Sequence, residues 1–404
     1  MFPLLILFAG SLLGAEIKRI DPPASTESGM PYLAASPDGQ VFLSWTDMLG
    51  GKNHAFRFSR WTRAGWRAPE TIATGDNWFV NWADFPAMTI LPDGTMLAHW
   101  LSRGSATAKF GYGIRVAKRA PGQAKWKEIH GMSLEEKSDY AGFLSFVPGE
   151  AKAVFLSPPI GDSAHHGATA GHDDHGGHRK TLRFLSFQND GSVESDLEVD
   201  ADTCSCCPTA IGRTKLGLIA AYRDHQAGEI RDISVIRQVK GHWSEPASLH
   251  EDGWKINGCP TDGPSLVTYG NSVAIAWLTR ANGIPKVMIA VSSNNGKTFT
   301  KPIQIDSGNP LGRPAIVAYP QGGWAAIWLE KTGGEQNEIR LRRLSSDASL
   351  SGPIAIAKVP AGRLAGFPKL AASGQDLIVA WRDQQVRAAL ITFAQEERKN
   401  TKAE

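Results

Sequence analysis

Residues 31–45 read PYLAASPDGQVFLSW, and six further stretches of the chain follow the same pattern. Each begins at an anchor residue, usually a proline, and continues as a short strand in which apolar and polar residues alternate. A turn and a second strand follow, and the second strand ends at an aromatic residue. The anchors are Pro31, Pro86, Ala141, Pro208, Pro264, Pro314 and Pro368. They follow one another at steps of 50 to 67 residues, and each aromatic lies 13 or 14 residues after its anchor. Such a repeat of short strands is typical of a β-propeller.

Each repeat continues with a third strand, such as HAFRFSRW at 54–61, and six repeats add a fourth, such as ETIAT at 70–74. The seventh repeat ends near Ala394 without a fourth strand, whereas EIKRI at 16–20 has the character to supply one. We therefore predict an all-β propeller of seven four-stranded blades, with six blades as the alternative, in which the N-terminal strand closes the last blade. The recurrent aromatics are predicted to fill the spaces between blades: Trp45, Trp100, Phe155, Tyr222, Trp277, Trp328 and Trp381.

The N-terminal stretch MFPLLILFAGSLLGA, residues 1–15, is an uncharged apolar run that ends in small residues. It is too short to cross a bilayer and has the features of a secretory signal peptide with cleavage near Ala15. We predict a secreted or periplasmic protein in which residues 16–396 form one propeller domain and residues 397–404 form a polar tail. An oxidising compartment would permit disulfides.

The charge pattern argues against two classes of partner. The chain has 43 Lys and Arg against 40 Asp and Glu, intermixed along its length, for a net charge of +3. Because there is no basic stripe and no basic amphipathic helix, we expect neither nucleic acid nor a membrane surface as a partner. We expect a monomer that binds a small molecule or a glycan, with no membrane span after signal cleavage.

One face of the predicted ring collects the chemically unusual residues. The loops that enter each blade, and the loops between second and third strands, open together on the central funnel of a propeller. Guanidinium groups in these loops match carboxylate, sulfate or phosphate groups, and carboxylates can act as acid–base pairs in a glycosidase. The residues predicted to bind or act on an anionic ligand are Tyr222, Arg223, Asp224, Glu229, Arg231, Arg280 and Arg313. Further candidates in the same loops are Asp47, Asp84, Asp232, Glu330, Arg363 and Arg382. The alternative is that Arg and Asp pairs only tie these loops together.

The stretch SSNNGKTF at 292–299 is similar to the Asp-box (BNR) motif S-x-D-x-G-x-T-W, with Asn294 in the Asp place and Phe299 in the Trp place. That motif is a structural turn, in which a short polar side chain binds nearby backbone. This motif, the repeat, and the residues around CSCCP and DGWKINGCP make the chain resemble the sialidase-like superfamily of secreted propellers over essentially its whole length. The resemblance implies a glycoside hydrolase of the exo-sialidase type, or a glycan-binding protein descended from one, that recognises an acidic sugar.

The chain departs from that family at its most specific motif. Sialidases have six blades and carry a substrate-binding arginine in a Phe/Tyr-Arg-Ile-Pro signature near the N-terminus. This chain has GMPYLAAS at 29–36, which contains no arginine. None of the family's catalytic positions therefore transfers to this chain, and whether the protein is an enzyme stays open.

Three of the four cysteines stand in DTCSCCP at 202–208 and the fourth, Cys259, lies in the loop that enters the next blade. Because neighbouring loops on one face meet, we expect Cys204, Cys206, Cys207 and Cys259 to gather at the funnel rim. Two interpretations stay open. The cysteines form disulfides, with Cys207–Cys259 as a candidate bridge because each precedes a proline, or they form a thiolate site for copper or zinc.

Blade 3 contains a histidine-rich insertion at 161–180. Its histidines, five of the eleven in the chain, are His165, His166, His172, His175 and His178. Such tracts bind transition metals loosely, and the alternative is a flexible polar loop. Cysteines and histidines together give the second functional hypothesis, a non-catalytic propeller that binds copper or zinc or interacts with other proteins.

Overall fold

The computed structural model describes residues 15–103, 111–131, 140–159, 179–363 and 365–393. In these ranges the chain folds into seven antiparallel sheets, which form the blades of a propeller as the repeats predict. No helix in the described part of the chain is long and apolar enough to cross a membrane. Outside the described residues lie the N-terminal apolar run, the C-terminal tail, and the insertion with His165, His166, His172, His175 and His178.

The strand bounds follow the predicted repeat. Blade 7 takes its outer strand from the N-terminus, β1 (Ala15–Arg19). Blade 1 contains β2 (Ser28–Ala35), β3 (Val41–Met48), β4 (His54–Thr62), β5 (Gly65–Trp66) and β6 (Glu70–Gly75). Blade 2 contains β7 (Ala87–Ile90), β8 (Met96–Arg103), β9 (Tyr112–Arg119) and β10 (Lys127–Gly131). Blade 3 contains β11 (Gly142–Phe146), β12 (Lys152–Ser157), β13 (Lys180–Phe187) and β14 (Val193–Thr203).

The second half of the ring has the same order. Blade 4 contains β15 (Ala210–Thr214), β16 (Gly217–Arg223), β17 (Ile233–Val239), β18 (His242–Trp243) and β19 (Ala247–Ser248). Blade 5 contains β20 (Ser265–Tyr269), β21 (Ser272–Thr279), β22 (Lys286–Ser292) and β23 (Ile303–Gln304), with a 3₁₀ turn at Ala281–Gly283. Blade 6 contains β24 (Pro310–Ala318), β25 (Trp324–Lys331), β26 (Gln336–Leu344) and β27 (Ile354–Pro360). Blade 7 adds β28 (Lys369–Ser373), β29 (Asp376–Arg382) and β30 (Val386–Phe393).

The N-terminal strand closes the ring. β1 pairs antiparallel with β30, from Ala15 opposite Phe393 to Arg19 opposite Ala389. The indole Nε1 of Trp66 in blade 1 donates to the carbonyl of Ile20 at 2.5 Å, which fixes the chain as it leaves the strand. The predicted closure is confirmed, and the backbone groups along the edge of β30 are paired rather than open to another chain.

The recurrent aromatics lie between blades, as predicted, and all seven are buried. Trp45 of blade 1 packs against Ile378 and Ala388 of blade 7, and Trp277 of blade 5 packs against Ile219 of blade 4. A buried aromatic removes about 200 Å² from water, which stabilises the fold by at most about 5 kcal/mol. The spacing of anchor and aromatic therefore sets both the blade repeat and the core of the ring.

Two of the candidate acids support these aromatics instead of facing the funnel. The indole Nε1 of Trp45 donates to Asp47 at 2.9 Å, and that of Trp328 donates to Glu330 at 2.5 Å. Glu330 also accepts the backbone N–H of Asn309 at 2.7 Å. Both carboxylates are buried and occupied by structural hydrogen bonds.

Carboxylates also join neighbouring blades near the axis. Asp84, in the loop entering blade 2, accepts the backbone N–H of Phe143 in blade 3 at 2.8 Å. Asp262, in the loop entering blade 5, accepts the backbone N–H of Arg313 in blade 6 at 2.7 Å. The second contact fixes the first strand of blade 6 against the loop that forms the funnel site.

Candidate functional site

A pocket of about 390 Å³ opens on the funnel between the loops of blades 2, 5, 6 and 7. Its volume is within the usual range for small-molecule sites. The lining residues are Trp82, Trp254, Ile256, Cys259, Pro260, Thr261, Asp262, Leu278, Arg280, Leu311, Arg313 and Gly362. Most of them come from loops that enter a blade or follow its second strand, while Leu278 lies at the end of β21 and Leu311 and Arg313 lie at the start of β24. The pocket combines apolar and aromatic side chains with polar and charged groups in about equal measure.

Guanidinium groups surround one wall of the pocket. Arg280 is exposed, whereas Arg313 is largely withdrawn, and the guanidinium carbon of Arg313 lies 5.1 Å from the centre of the Trp82 ring. Arg313 also donates to the carbonyl of Gly366 at 2.6 Å. Arg363 stacks on the same indole at 5.3 Å. Arg280 is thus the lining arginine with a free approach to a ligand, while Arg313 supports the wall.

Asp262 is the acidic group of the pocket. It is buried, and burial raises its pKa to about 6 although the nearby guanidinium groups of Arg223, Arg313 and Arg280 favour the ionised form. One carboxylate oxygen accepts the Arg313 amide, and the other has no hydrogen-bond partner among the described residues. A buried oxygen of this kind is costly unless it is protonated or meets a ligand or water.

Arg223 was predicted to grip a ligand, but the structure places it beneath the pocket. Its side chain is fully buried and donates to three backbone carbonyls, those of Asp262 at 2.8 Å, Arg231 at 2.6 Å and Leu278 at 2.8 Å. Its guanidinium carbon lies 4.7 Å from the centre of the Trp254 ring. Arg223 therefore ties three loops together and supports the second tryptophan of the pocket.

Tyr222 lies on the opposite side of β16 from Arg223, because adjacent strand residues alternate. Its ring packs in the core between blades 3 and 4, and its hydroxyl donates to Asp200. Burial, with the charge of Asp200, raises its pKa. The structure does not bring Tyr222 into the pocket.

Asp224, Glu229 and Arg231 form a separate polar cluster beside the cysteines. Asp224 accepts the hydroxyl of Ser234 at 2.6 Å and is buried. Arg231 donates to Glu229 at 2.7 Å. None of these three residues is among those that line the funnel pocket.

This cluster continues outward through a histidine. His225 contacts Asp202 at 2.9 Å through Nδ1 and Glu229 at 3.4 Å through Nε2. The hydrogen bond to Asp202 is the main reason why the pKa of His225 is raised. A chain of alternating charges thus runs from Asp202 to Arg231, whose guanidinium interacts with the sulfur of Cys204.

The four cysteines meet at the rim, as predicted, but the predicted partner of Cys259 is wrong. Cys206, not Cys207, forms the disulfide with Cys259, and the two Cα atoms are 6.1 Å apart. Residues 204–207 form a turn after β14 ends at Thr203, and in that turn Cys206 faces the neighbouring loop while Cys207 does not. Cys207 turns inward, where its sulfur lies 3.6 Å from that of Cys204 and both are buried thiols.

Several functional side chains escaped the sequence reasoning. Cys204 and Cys207 have the C-x-x-C spacing of a dithiol, which the adjacent Cys206 obscured. An aromatic or acidic residue just before a blade anchor is the signal for Trp82 and Asp262, whereas Trp254 lies ten residues before its anchor and has no such signal. The interaction of Cys207 with the Cys204 sulfur is the main cause that lowers the pKa of Cys204, whereas burial raises that of Cys207.

The turn at 292–299 has the hydrogen bonds expected from its sequence. The side chain of Asn294 accepts the backbone N–H of Thr298 at 3.0 Å, and Ser292 accepts that of Gly296 at 3.0 Å. Gly296 has a φ of +73°, which a residue with a side chain rarely adopts. Phe299 packs against the core between blades 4 and 5. The segment is a structural turn on the outside of blade 5.

No protein family and no curated protein matches this sequence. Solved propellers do match the structure. The BP39L lectin from Burkholderia pseudomallei has a TM-score of 0.57 at 12% identity, over 95% of this chain and 97% of its own. A protein of unknown function from Dyadobacter fermentans has a TM-score of 0.51 at 12% identity, over 94% and 100%. The NanB sialidase from Streptococcus pneumoniae is also similar, at a TM-score of 0.44 and 13% identity over 93% and 70%. Such identities support the propeller fold alone.

Proposed function

We propose that the funnel pocket binds a carbohydrate that carries a carboxylate, such as a sialic or uronic acid. The observation that carries the proposal is the joint lining of one pocket by the exposed guanidinium of Arg280 and the indoles of Trp82 and Trp254. A guanidinium group pairs with a carboxylate through two parallel hydrogen bonds. The indole of Trp82 is partly exposed and offers an apolar surface on which a sugar ring can lie, whereas Trp254 is 5% exposed and supports the pocket from within.

The walls of this pocket are held in place before a ligand arrives. Arg223 stacks on Trp254 at 4.7 Å, and Arg313 stacks on Trp82 at 5.1 Å. Both arginines are also hydrogen-bonded to backbone carbonyls. A rigid wall reduces the entropy that binding must overcome. The buried Arg223 and the half-buried Arg313 thus support the aromatic side chains and leave Arg280 for the ligand.

Binding has more support than hydrolysis. Glycoside hydrolysis generally needs two carboxyl groups on either side of the scissile bond. Asp262 is the single carboxylate among the described lining residues. Asp224 and Glu229 are occupied by Ser234 and Arg231, and Tyr222 is buried against Asp200. These arrangements favour a glycan-binding propeller over a sialidase.

The test is isothermal titration of the protein with the methyl α-glycoside of N-acetylneuraminic acid and with methyl glucuronide. Arg280→Ala is expected to weaken binding of the preferred ligand about 10- to 100-fold, the value of a hydrogen bond to a charged group. Arg63→Ala, a change at an exposed arginine in the outer turn of blade 1, is the matched control and should leave affinity unchanged. Equal affinity in the Arg280→Ala variant, or release of free sugar by the wild-type protein, would contradict the proposal.

A further inference from the structure

The cysteine cluster carries an inference independent of the glycan site. The sulfurs of Cys204, Cys206 and Cys207 all lie within 4.8 Å of one another. Cys204 and Cys207 are thiols, and both are almost completely buried, with 1% and 2% of their surface exposed. Three sulfurs that converge at one buried point have the spacing of a metal-thiolate centre, for which soft ions have the highest preference.

Two cationic side chains lie close to the cluster, and the backbone N–H of Cys204 donates to the carbonyl of one of them, Arg223, at 3.1 Å. The guanidinium groups of Arg223 and Arg231 both act on Cys204. Cations close to a cysteine favour the thiolate over the thiol, and the thiolate is the form that binds a metal.

The number of sulfurs points to a particular ion. Cys259 is exposed, and although its sulfur is bonded to that of Cys206, it is not among the sulfurs that all lie within 4.8 Å of one another. Structural zinc almost always takes four ligands, whereas Cu(I) is stable with three thiolates. Cu(I) with three thiolates has a net charge of −2, which the two guanidinium groups of Arg223 and Arg231 balance.

We propose that Cys204, Cys206 and Cys207 form a three-sulfur site for Cu(I) that is complete only when the Cys206–Cys259 disulfide is reduced. In the oxidised protein, Cys204 and Cys207 can supply two thiolates, and the sulfur of Cys206 is held by Cys259. Reduction frees the third ligand. The disulfide therefore controls the affinity of the site for copper.

The redox step is an ordinary thiol–disulfide exchange with an external dithiol. Cys259 lies on the pocket lining and is exposed, so a dithiol can reach the bond. One thiolate of the reductant attacks a sulfur of the disulfide, and its second thiol resolves the mixed disulfide. The Cys206–Cys259 bond breaks, its two sulfurs gain two electrons and two protons, and the reductant becomes a disulfide. Cu(I) then displaces the protons from the three thiols.

The experiment measures Cu(I) affinity of the full chain by competition with bathocuproine disulfonate. Ascorbate keeps the copper as Cu(I) without reducing protein disulfides. Oxidised protein is compared with protein that has been treated with a dithiol and desalted without oxygen. The reduced protein is expected to bind one Cu(I) at least about tenfold more tightly. Loss of a residue that only supports a metal ligand already lowers metal affinity by about this factor.

Two variants separate the site from the disulfide. Cys259→Ser leaves Cys206 permanently free, so it should bind Cu(I) as tightly as reduced wild-type protein without any dithiol. Adding Cys204→Ser to that variant should remove the gain.

X-ray absorption should find three sulfur neighbours around the copper. Equal affinity of oxidised and reduced wild-type protein, or a reduced protein that binds zinc through four sulfurs in preference to Cu(I), would overturn the proposal. The wild-type comparison decides the question even when a variant fails to fold.

Discussion

Arg223 and Trp254 are stacked, with the guanidinium carbon 4.7 Å from the centre of the indole ring. The same guanidinium group donates to the carbonyls of Asp262, Arg231 and Leu278. One buried arginine thus joins the loops that enter blade 5 and leave the second strands of blades 4 and 5. This relationship divides the arginines of the funnel into those that build the pocket and those that can meet a ligand.

The first prediction concerns this division. Arg223→Met removes the side-chain donor from three backbone carbonyls, two of them in buried hydrogen bonds, and we expect a loss of about 3 kcal/mol or more in the free energy of unfolding. Arg280→Met changes an exposed side chain and should alter that free energy by less than about 0.5 kcal/mol. Urea unfolding of both variants measures the difference. Similar small effects for the two would contradict a structural role for Arg223.

The second prediction concerns pH. Asp262 has a raised pKa of about 6, so it takes up a proton as the pH falls through 6 and ceases to compensate the charge of the nearby Arg280. The affinity for a carboxylate ligand should therefore rise several-fold between about pH 8 and about pH 5. Asp262→Asn keeps an oxygen that can accept the Arg313 amide but removes the titration. Its affinity should be nearly independent of pH in titrations across this range, and an unchanged pH dependence would refute the role of Asp262.

The third prediction uses two glycines. A methyl group added at Gly263 would overlap the carbonyl oxygen of Pro208 across the seam between blades 4 and 5, whereas one added at Gly352 would meet no atom within 4 Å. Gly263→Ala is expected to lower the free energy of unfolding by about 1–3 kcal/mol through forced displacement of the backbone. Gly352→Ala should be close to neutral. Thermal unfolding of the matched pair checks this, and equal melting temperatures would show that the seam is looser than described.

The fourth prediction concerns ring closure. Removal of residues 15–20 takes away β1 and leaves the edge of β30 unpaired. We expect a lower melting temperature and a concentration-dependent tendency to associate, because an open strand edge templates pairing with another chain. Light scattering and thermal unfolding measure the two effects. A truncated protein as stable and as monodisperse as the intact one would contradict a closing role for β1.

Local periodicity explains why the fold was predictable. The anchors and aromatics such as Pro31 and Trp45 mark one strand pair each, and alternation within a strand fixes which side is buried. The same pattern predicted that EIKRI provides the fourth strand of blade 7. These features depend on residues close together in the sequence, so the blade count and the core could be deduced without coordinates.

The details of the site depend on contacts between loops, and the blade repeat of the sequence carries no information about these contacts. Arg223 and Arg280 both follow an aromatic-ending strand, yet one meets three carbonyls and the other meets solvent. Cys206 and Cys207 are adjacent, and only the path of the loop decides which of them reaches Cys259. The gathering of residues on one face was therefore predictable, while the role of each residue was not.

Recognition of a ligand carboxylate by Arg280 is tested most directly by a thermodynamic cycle that combines one substitution in the protein with one change in the ligand. Affinities of wild-type protein and Arg280→Ala are measured for the methyl α-glycoside of N-acetylneuraminic acid and for its methyl ester, which lacks the negative charge. We predict that the wild-type protein prefers the acid by about tenfold or more and that this preference nearly vanishes in the variant. An equal preference for the acid in both proteins would contradict the account.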